Sequence, residues 1–281
     1  MAEHANRQLV NYPLVSLYRA GIGPNFAFWG HGANLQAATE NSRRERFKRL
    51  TAGLPHWWFA YTESSAQRVA SAGFPSNRIT VVQNSVSVEF YGDAIPARKR
   101  SQGCVYVGGL DEHKRITFLL QAASYLNDML SNFTLTIIGD GKDRALVESW
   151  ARAHQWLNYV GPKVGVEKAH LVSEAQLLLM PGLVGLAIID SFAAETPIVT
   201  VDLPFHSPEI EYLRPGFNGV LCSSGITPAG YAHAVANLLG NKRQLNELRR
   251  GCRESRAQYS LNEMVTRFGH GVEQALLADR R

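Results

Sequence analysis

From Gly103 onward, short β-rich runs alternate with helical segments, and this alternation limits the fold more than any other feature of the chain. The runs are 104–107, 134–138, 158–160, 176–180, 198–201 and 219–222. Between the first two, Ile116, Leu119, Leu120, Ala123 and Leu126 recur at helical spacing, and 142–153 is rich in helix formers. Strands separated by helices of that length do not form hairpins; they make a parallel, doubly wound sheet covered on both faces, with ligands at the carboxyl ends of the strands. Residues 1–90 repeat the pattern in shorter form: a helix from about 5 to 19, a strand at 26–29, a helix after Ser42, a strand at 58–61, a helix at 64–71 and a strand at 79–82. The expected fold class is therefore α/β, with two Rossmann-like parallel sheets.

The expected organisation is a first domain over 1–92, a second over 103–257 and a C-terminal helix over 258–281. Between the domains, 92–102 contains Pro96 and Arg98-Lys99-Arg100 and has linker composition. The last helix opens with a capping box, Ser260 and Glu263, and puts Met264, Phe268, Val272 and Leu276 on one face, so it is expected to pack back on the first domain. At 281 residues the chain has room for two such cores.

Charge and cysteine usage narrow the function classes. Cys104, Cys222 and Cys252 show no CxxC spacing, which argues against a disulfide framework and a zinc site and suits a reducing cytoplasm. No basic stretch followed by an apolar core follows Met1, and the apolar run 177–189 is broken by Pro181 and Gly182, so neither a signal peptide nor a membrane span is expected. The net charge of +5 is uneven. Residues 1–102 carry 12 basic and 6 acidic groups, the remainder 17 and 18. Arg43, Arg44, Arg46, Lys48 and Arg49 leave two readings open: a solvated helix face, or a peripheral contact with anionic lipid or an acidic substrate. There is no recognisable nucleic-acid module, so nucleic acid is not an expected partner.

Three strand ends carry the chemistry. Val107-Gly108-Gly109-Leu110 followed by 111–114 puts a glycine pair after a strand and Lys114 at the expected start of the next helix, which suits a phosphate: backbone N–H groups approach the anion and the lysine adds a point charge. Such a lysine is expected to contribute little to folding. Gly139-Asp140-Gly141 lacks the third glycine of a dinucleotide fingerprint, where Arg144 stands, and reads as a tight turn. The third segment runs from Met180 through Pro181-Gly182-Leu183-Val184-Gly185-Leu186 to Asp190, then Thr196-Pro197-Ile198-Val199.

That third segment resembles the donor-binding stretch of the retaining GT-B glycosyltransferases, whose usual form is Glu-Gly-Phe-Gly-Leu, three residues, Glu-Ala, a turn and Pro-Val-Val. The Gly108 to Lys114 segment resembles the same family's Val-Gly-Arg-Leu, three residues, Lys-Gly. His206-Ser207-Pro208-Glu209-Ile210 and Asn218-Gly219 resemble its Pro-Glu-Ile and Asn-Gly, Trp29-Gly30-His31-Gly32 its strand-end histidine, and 79–86 its crossing between domains. The resemblance implies transfer of a sugar from a nucleotide diphospho-sugar with retention of configuration, without a metal or other cofactor, to an acceptor (glycan, lipid or small molecule) that the sequence does not identify.

Carried over residue by residue, the catalytic pair would be His31, touching the donor sugar near the reacting carbon, and Lys114, binding the diphosphate. Gly108 and Gly109 would cradle the phosphates, Gly161, Pro162 and Lys163 would border the base, and Asp190 would hold the ribose hydroxyls. Gly182, Leu183, Val184, Gly185 and Leu186 would form the donor-binding segment, with N–H groups offered by Gly185 and Leu186. The chain also departs from the family. Gly182 stands where the first glutamate is usual, Asp190 is one methylene shorter than the second, and Gly109 replaces an arginine for which Arg115 is the nearest substitute. On those departures two other readings stay open: an inactive nucleotide-sugar-binding or partner-binding fragment, and a sugar-nucleotide epimerase. The family also places further strand–helix units ahead of the Trp-Gly-His-Gly segment, whereas 28 residues precede Trp29 here, so the first domain is expected to be incomplete and the chain weakly active.

Overall fold

The structure is a computed structural model that describes residues 1–4, 10–32, 51–92, 100 and 103–280. It divides into two compact units, one formed by Met1–Ser85 with Tyr259–Arg281, the other by Val86–Gln258. Arg43, Arg44, Arg46, Lys48 and Arg49, with the helix expected after Ser42, lie outside the described residues.

The first unit holds β1 (Ala2–Glu3), α1 (Asn11–Arg19), β2 (Ala27–Gly30), β3 (Trp57–Ala60), α2 (Glu63–Ser71) and β4 (Ile79–Val81) in a parallel sheet of order β1-β2-β3-β4. The two-residue β1 was not expected, because a strand that short carries no periodicity to read. On β3 the period of two sends alternate side chains to opposite faces. Trp58 packs with Val15, Tyr18, Phe28 and Val69. Trp57 and Phe59 pack with Val82 and Met264. The second face is covered by the C-terminal helix Leu261–Leu277, whose Ser260 side chain accepts from the Glu263 N–H and whose Phe268 stacks on Phe59 at 4.6 Å. The apolar face of that helix does not run its full length: Met264 is buried, while Val272 and Leu276 are exposed.

The second unit comprises β5 (Cys104–Val107), α3 (Ile116–Met129), β6 (Leu135–Ile138), α4 (Arg144–Ala153), β7 (Leu157–Gly161), α5 (Gly165–Glu174), β8 (Leu177–Met180), α6 (Ala187–Ala193), β9 (Ile198–Val201), β10 (Gly219–Cys222), α7 (Pro228–Gly240) and α8 (Lys242–Gln258). All six strands are parallel, in the order β10-β9-β8-β5-β6-β7. Strands β5, β8 and β9 are buried at every position, as sheets covered on both faces require, and their sequences Cys-Val-Tyr-Val, Leu-Leu-Leu-Met and Ile-Val-Thr-Val are correspondingly unbroken in apolar or β-branched residues. The chain enters this sheet at β5, builds outward through β6 and β7, then returns to the other side of β5 with β8. The direction of winding therefore reverses between β5 and β8, which makes a crevice at their carboxyl ends. Among the described residues no helix is long and apolar enough to cross a membrane.

Candidate functional site: the loops at the β5–β8 switch point

The loop after β5 and the loop after β8 flank that crevice, and they are tied to one another by backbone. The Leu183 N–H donates to the His113 carbonyl at 2.8 Å, and the Lys114 ammonium donates to the Leu183 carbonyl at 2.7 Å. Lys114 does not start a helix, as the sequence suggested. It ends a 3-10 turn, Glu112–Lys114, because Arg115 adopts a left-handed conformation (φ 54°) and separates that turn from α3. Burial pulls the Lys114 pKa down while Asp111 nearby pulls it up. Among the described residues one of the three ammonium donors is used, by the Leu183 carbonyl.

Gly182 has no room for a side chain. A Cβ there would lie 2.3 Å from the Lys114 carbonyl carbon and 2.5 Å from the His113 oxygen. The space where the resembling family carries a glutamate is thus filled by the backbone of the β5 loop. The rest of the segment is held from the far side by His206, whose Nδ1 accepts from the Val184 N–H at 3.0 Å while its Nε2 donates to the Val201 carbonyl at 2.8 Å. Those two bonds require the neutral ring, and burial lowers the His206 pKa accordingly. The N–H groups of Leu183 and Val184 are therefore occupied in holding the loop. Gly185 and Leu186, half-buried at the head of α6, are the two positions of the segment whose N–H groups precede the first intrahelical bonds.

The neighbouring strand ends complete the rim. Gly108 N–H donates to Ile138, Gly139 N–H to Gly161, and the Tyr106 hydroxyl to the Gly109 carbonyl at 2.6 Å. A Cβ on Gly139 would lie 1.8 Å from the Gly108 oxygen, so the Gly139 turn serves the close approach of these two loops. Gly161 is left-handed (φ 70°) at the end of β7, Pro162 follows it, and Lys163 pairs with Glu167 at 3.1 Å on the surface. Arg115 lies over the Phe118 ring at 4.2 Å, with a long contact of 3.4 Å to the Pro181 carbonyl.

Asp190 sits on α6 and is 5% exposed. Its Oδ1 accepts from the Tyr91 hydroxyl at 2.6 Å and pairs with the Lys168 ammonium at 2.7 Å. Desolvation and the adjacent Asp190 carboxylate push the Tyr91 pKa well up, so the phenol stays a donor. Oδ2 takes no donor from the described residues and remains available as an acceptor. Neither Tyr91 nor Lys168 was marked by the sequence: Tyr91 lies just before the linker, and Lys168 shares α5 with Glu167 and Glu174 in what reads as a charged surface helix. Asn218 is satisfied internally, by the Arg214 N–H, the Tyr212 carbonyl and the Ser255 hydroxyl, and is structural. His31 lies in the first unit, directly after β2, edge-on to Tyr61 at 4.4 Å. Among the described residues no group of three His, Cys, Asp or Glu side chains could hold a metal ion.

Comparison with known proteins places these loops in a family context. The sequence profile of the family described as "Glycosyl transferases group 1" matches residues 91–258. No curated protein matches the sequence. Similar solved structures include the pneumococcal O-GlcNAc transferase GtfA in complex with UDP and GlcNAc, 16% identical with a TM-score of 0.74 over 93% of this chain and 55% of that one. Anabaena HepE in complex with UDP is 14% identical, with a TM-score of 0.73 over 94% of this chain and 76% of that one. S. aureus TarM, in complex with Fondaparinux, alpha-GlcNAc-glycerol and UDP, is 15% identical, with a TM-score of 0.69 over 87% of this chain and 50% of that one. The chain thus spans about half the length of two of these three and about three quarters of the other. All share its fold of two parallel-sheet α/β domains.

Proposed function

The chain belongs to the glycosyl transferases group 1 family, and from that premise we propose that its second unit binds a nucleoside diphospho-sugar at the β5–β8 crevice for transfer of the sugar, with retention of configuration, to a glycan-type acceptor. The observation that carries this is the bond from the Lys114 ammonium to the Leu183 carbonyl at the switch point, two residues before Gly185 and Leu186. Lys114 and Leu183 are already bonded, so the cation is held against the loop that heads α6 before any ligand arrives. Departure of the diphosphate develops negative charge on its bridging oxygen. A lysine ammonium and backbone N–H groups held in a partly dry cleft stabilise that charge without rearranging at the moment of reaction. An anionic diphosphate opposes the desolvation that lowers the Lys114 pKa and so favours the charged ammonium.

Asp190 is the ribose acceptor in this reading. Tyr91 and Lys168 hold Oδ1 and fix the rotamer, and a ribose hydroxyl donates to Oδ2. Lys168 balances the charge of a carboxylate that would otherwise be buried alone. The UDP held by the three similar structures makes uridine diphospho-sugars the first donors to test. The test is product analysis after incubation with UDP-GlcNAc or UDP-glucose and a panel of glycosyl acceptors. A glycoside retaining the donor's anomeric configuration supports the proposal. A new nucleotide-sugar points instead to an epimerase, and donor binding without any product to an inactive binding fragment.

A further inference from the structure

At the opposite end of the second unit's sheet, before β6 and β8 begin, there is a cleft of about 630 Å³. Its lining combines the cations Arg249, Arg100 and Lys242 with the apolar Met129, Phe133 and Leu245. Arg249 is 7% exposed. Its guanidinium reaches only neutral acceptors among the described residues, Asn246 Oδ1 at 3.1 Å and Gln176 Oε1, and its buried Nε has none. The carboxylate whose field reaches both Arg249 and Arg100 is Glu195, which Arg253 already clasps through two bonds of 2.7 Å. Burial and the field of Arg249 together bring the Arg100 pKa down to about 10. A desolvated guanidinium held only by neutral amides, as Arg249 is among the described residues, is costly unless an anion joins it.

We propose that this cleft is a second ligand site, for a small organic anion that sets a phosphate or carboxylate on Arg249 and Lys242 and its apolar body against Met129, Phe133 and Leu245. The volume suits a small molecule. A planar guanidinium takes an oxyanion through two parallel bonds, for which Arg249 exchanges its amide partner Asn246, an exposed side chain, for a charged one. The site is also connected to the donor loops through α6. Arg100 holds the Ala194 carbonyl at 2.7 Å and the Thr196 hydroxyl at 2.8 Å, immediately after the helix that Gly185 and Leu186 head.

Phenyl phosphate is the probe, titrated calorimetrically into the full chain. The donor loops also accept phosphate, so Lys114→Ala serves as the control. We expect one site to remain in Lys114→Ala, a loss of roughly tenfold or more at that site when Lys242→Glu is added, the size of one charge-assisted contact, and no binding when Arg249→Met is added to Lys114→Ala. Loss of binding in Lys114→Ala with retention in Lys242→Glu, or no binding at all, overturns the site. Should Arg249→Met fail to fold, crystals soaked in selenate decide. An anomalous peak within hydrogen-bond reach of Arg249 supports the site; a cleft free of selenate, or filled by the chain's own side chains, overturns it.

Discussion

Gly182 shows how one residue can change the chemistry available to a loop. Its Cβ position meets three backbone atoms of the β5 loop, and backbone cannot swing aside as a flexible side chain can. Gly182→Ala should destabilise the second unit by about 1 to 3 kcal/mol, as overpacking does. Gly182→Glu should destabilise it more and fail to raise activity, because restoring the family's acid displaces Lys114. Denaturant midpoints and product yield check both; a stable, more active Gly182→Glu would contradict this. His206 gives a second prediction. The folded ring is held neutral, whereas in the unfolded chain it titrates near about 6.5. The stability it contributes is therefore complete above that pH and declines as pH falls toward the lowered folded-state pKa. His206→Gln, which does not titrate, should flatten the loss of stability between about pH 7 and pH 5. The same slope in both proteins would show that the ring does not hold the loop as its bonds indicate.

At the scale of elements, close approach is again set by glycine. In the C-terminal helix, a Cβ on Gly271 would lie 2.4 Å from the Thr80 hydroxyl and 2.7 Å from the Phe59 ring, so β3 and β4 admit the helix only where the side chain is missing. Gly271→Leu should lift the helix from the sheet and lower the first unit's stability by about 2 kcal/mol or more, with Phe268 and Met264 exposed as a result. Hydrogen exchange should rise in β3, β4 and the helix while β5 to β9 stay protected, and uniform exchange across both units would contradict this. The second unit's strands β5, β8 and β9 were legible because buried parallel strands must be apolar without interruption, and α3 because its apolar residues recur at a period near 3.6; the more exposed β7 and β10 were placed by their position in the alternation. The first unit was less so. Its β1 is two residues long, and residues 5–9, where its first helix is expected to start, lie outside the described residues. In the candidate loops, the sequence marked backbone positions through glycine at 108, 182 and 185, while Gly139 read as a turn. The candidate site was not legible at Tyr91 and Lys168, since the pairing of a helix lysine with a carboxylate 22 positions away leaves no local pattern.

For the molecule as a whole, the loops that the sequence analysis assigns to donor binding lie at the carboxyl ends of β5 and β8, where the winding of the second sheet reverses. The departures at 109, 182 and 190 do not leave those loops empty. Backbone fills the place of the absent glutamate, and Tyr91 and Lys168 support the shorter acid. Lys114 does more for the fold than a helix-start lysine would, because its bond to Leu183 ties the two loops together. Lys114→Ala should therefore cost about 1 kcal/mol of stability as well as ligand affinity. The most direct measurement is calorimetric titration of UDP into the wild-type chain and Lys114→Ala, with folding of the variant verified by its thermal melt. The account predicts one site on the wild-type chain and affinity weakened by about 2 kcal/mol, roughly thirtyfold, in the variant. No binding to the wild type, or equal binding to both proteins, would contradict it.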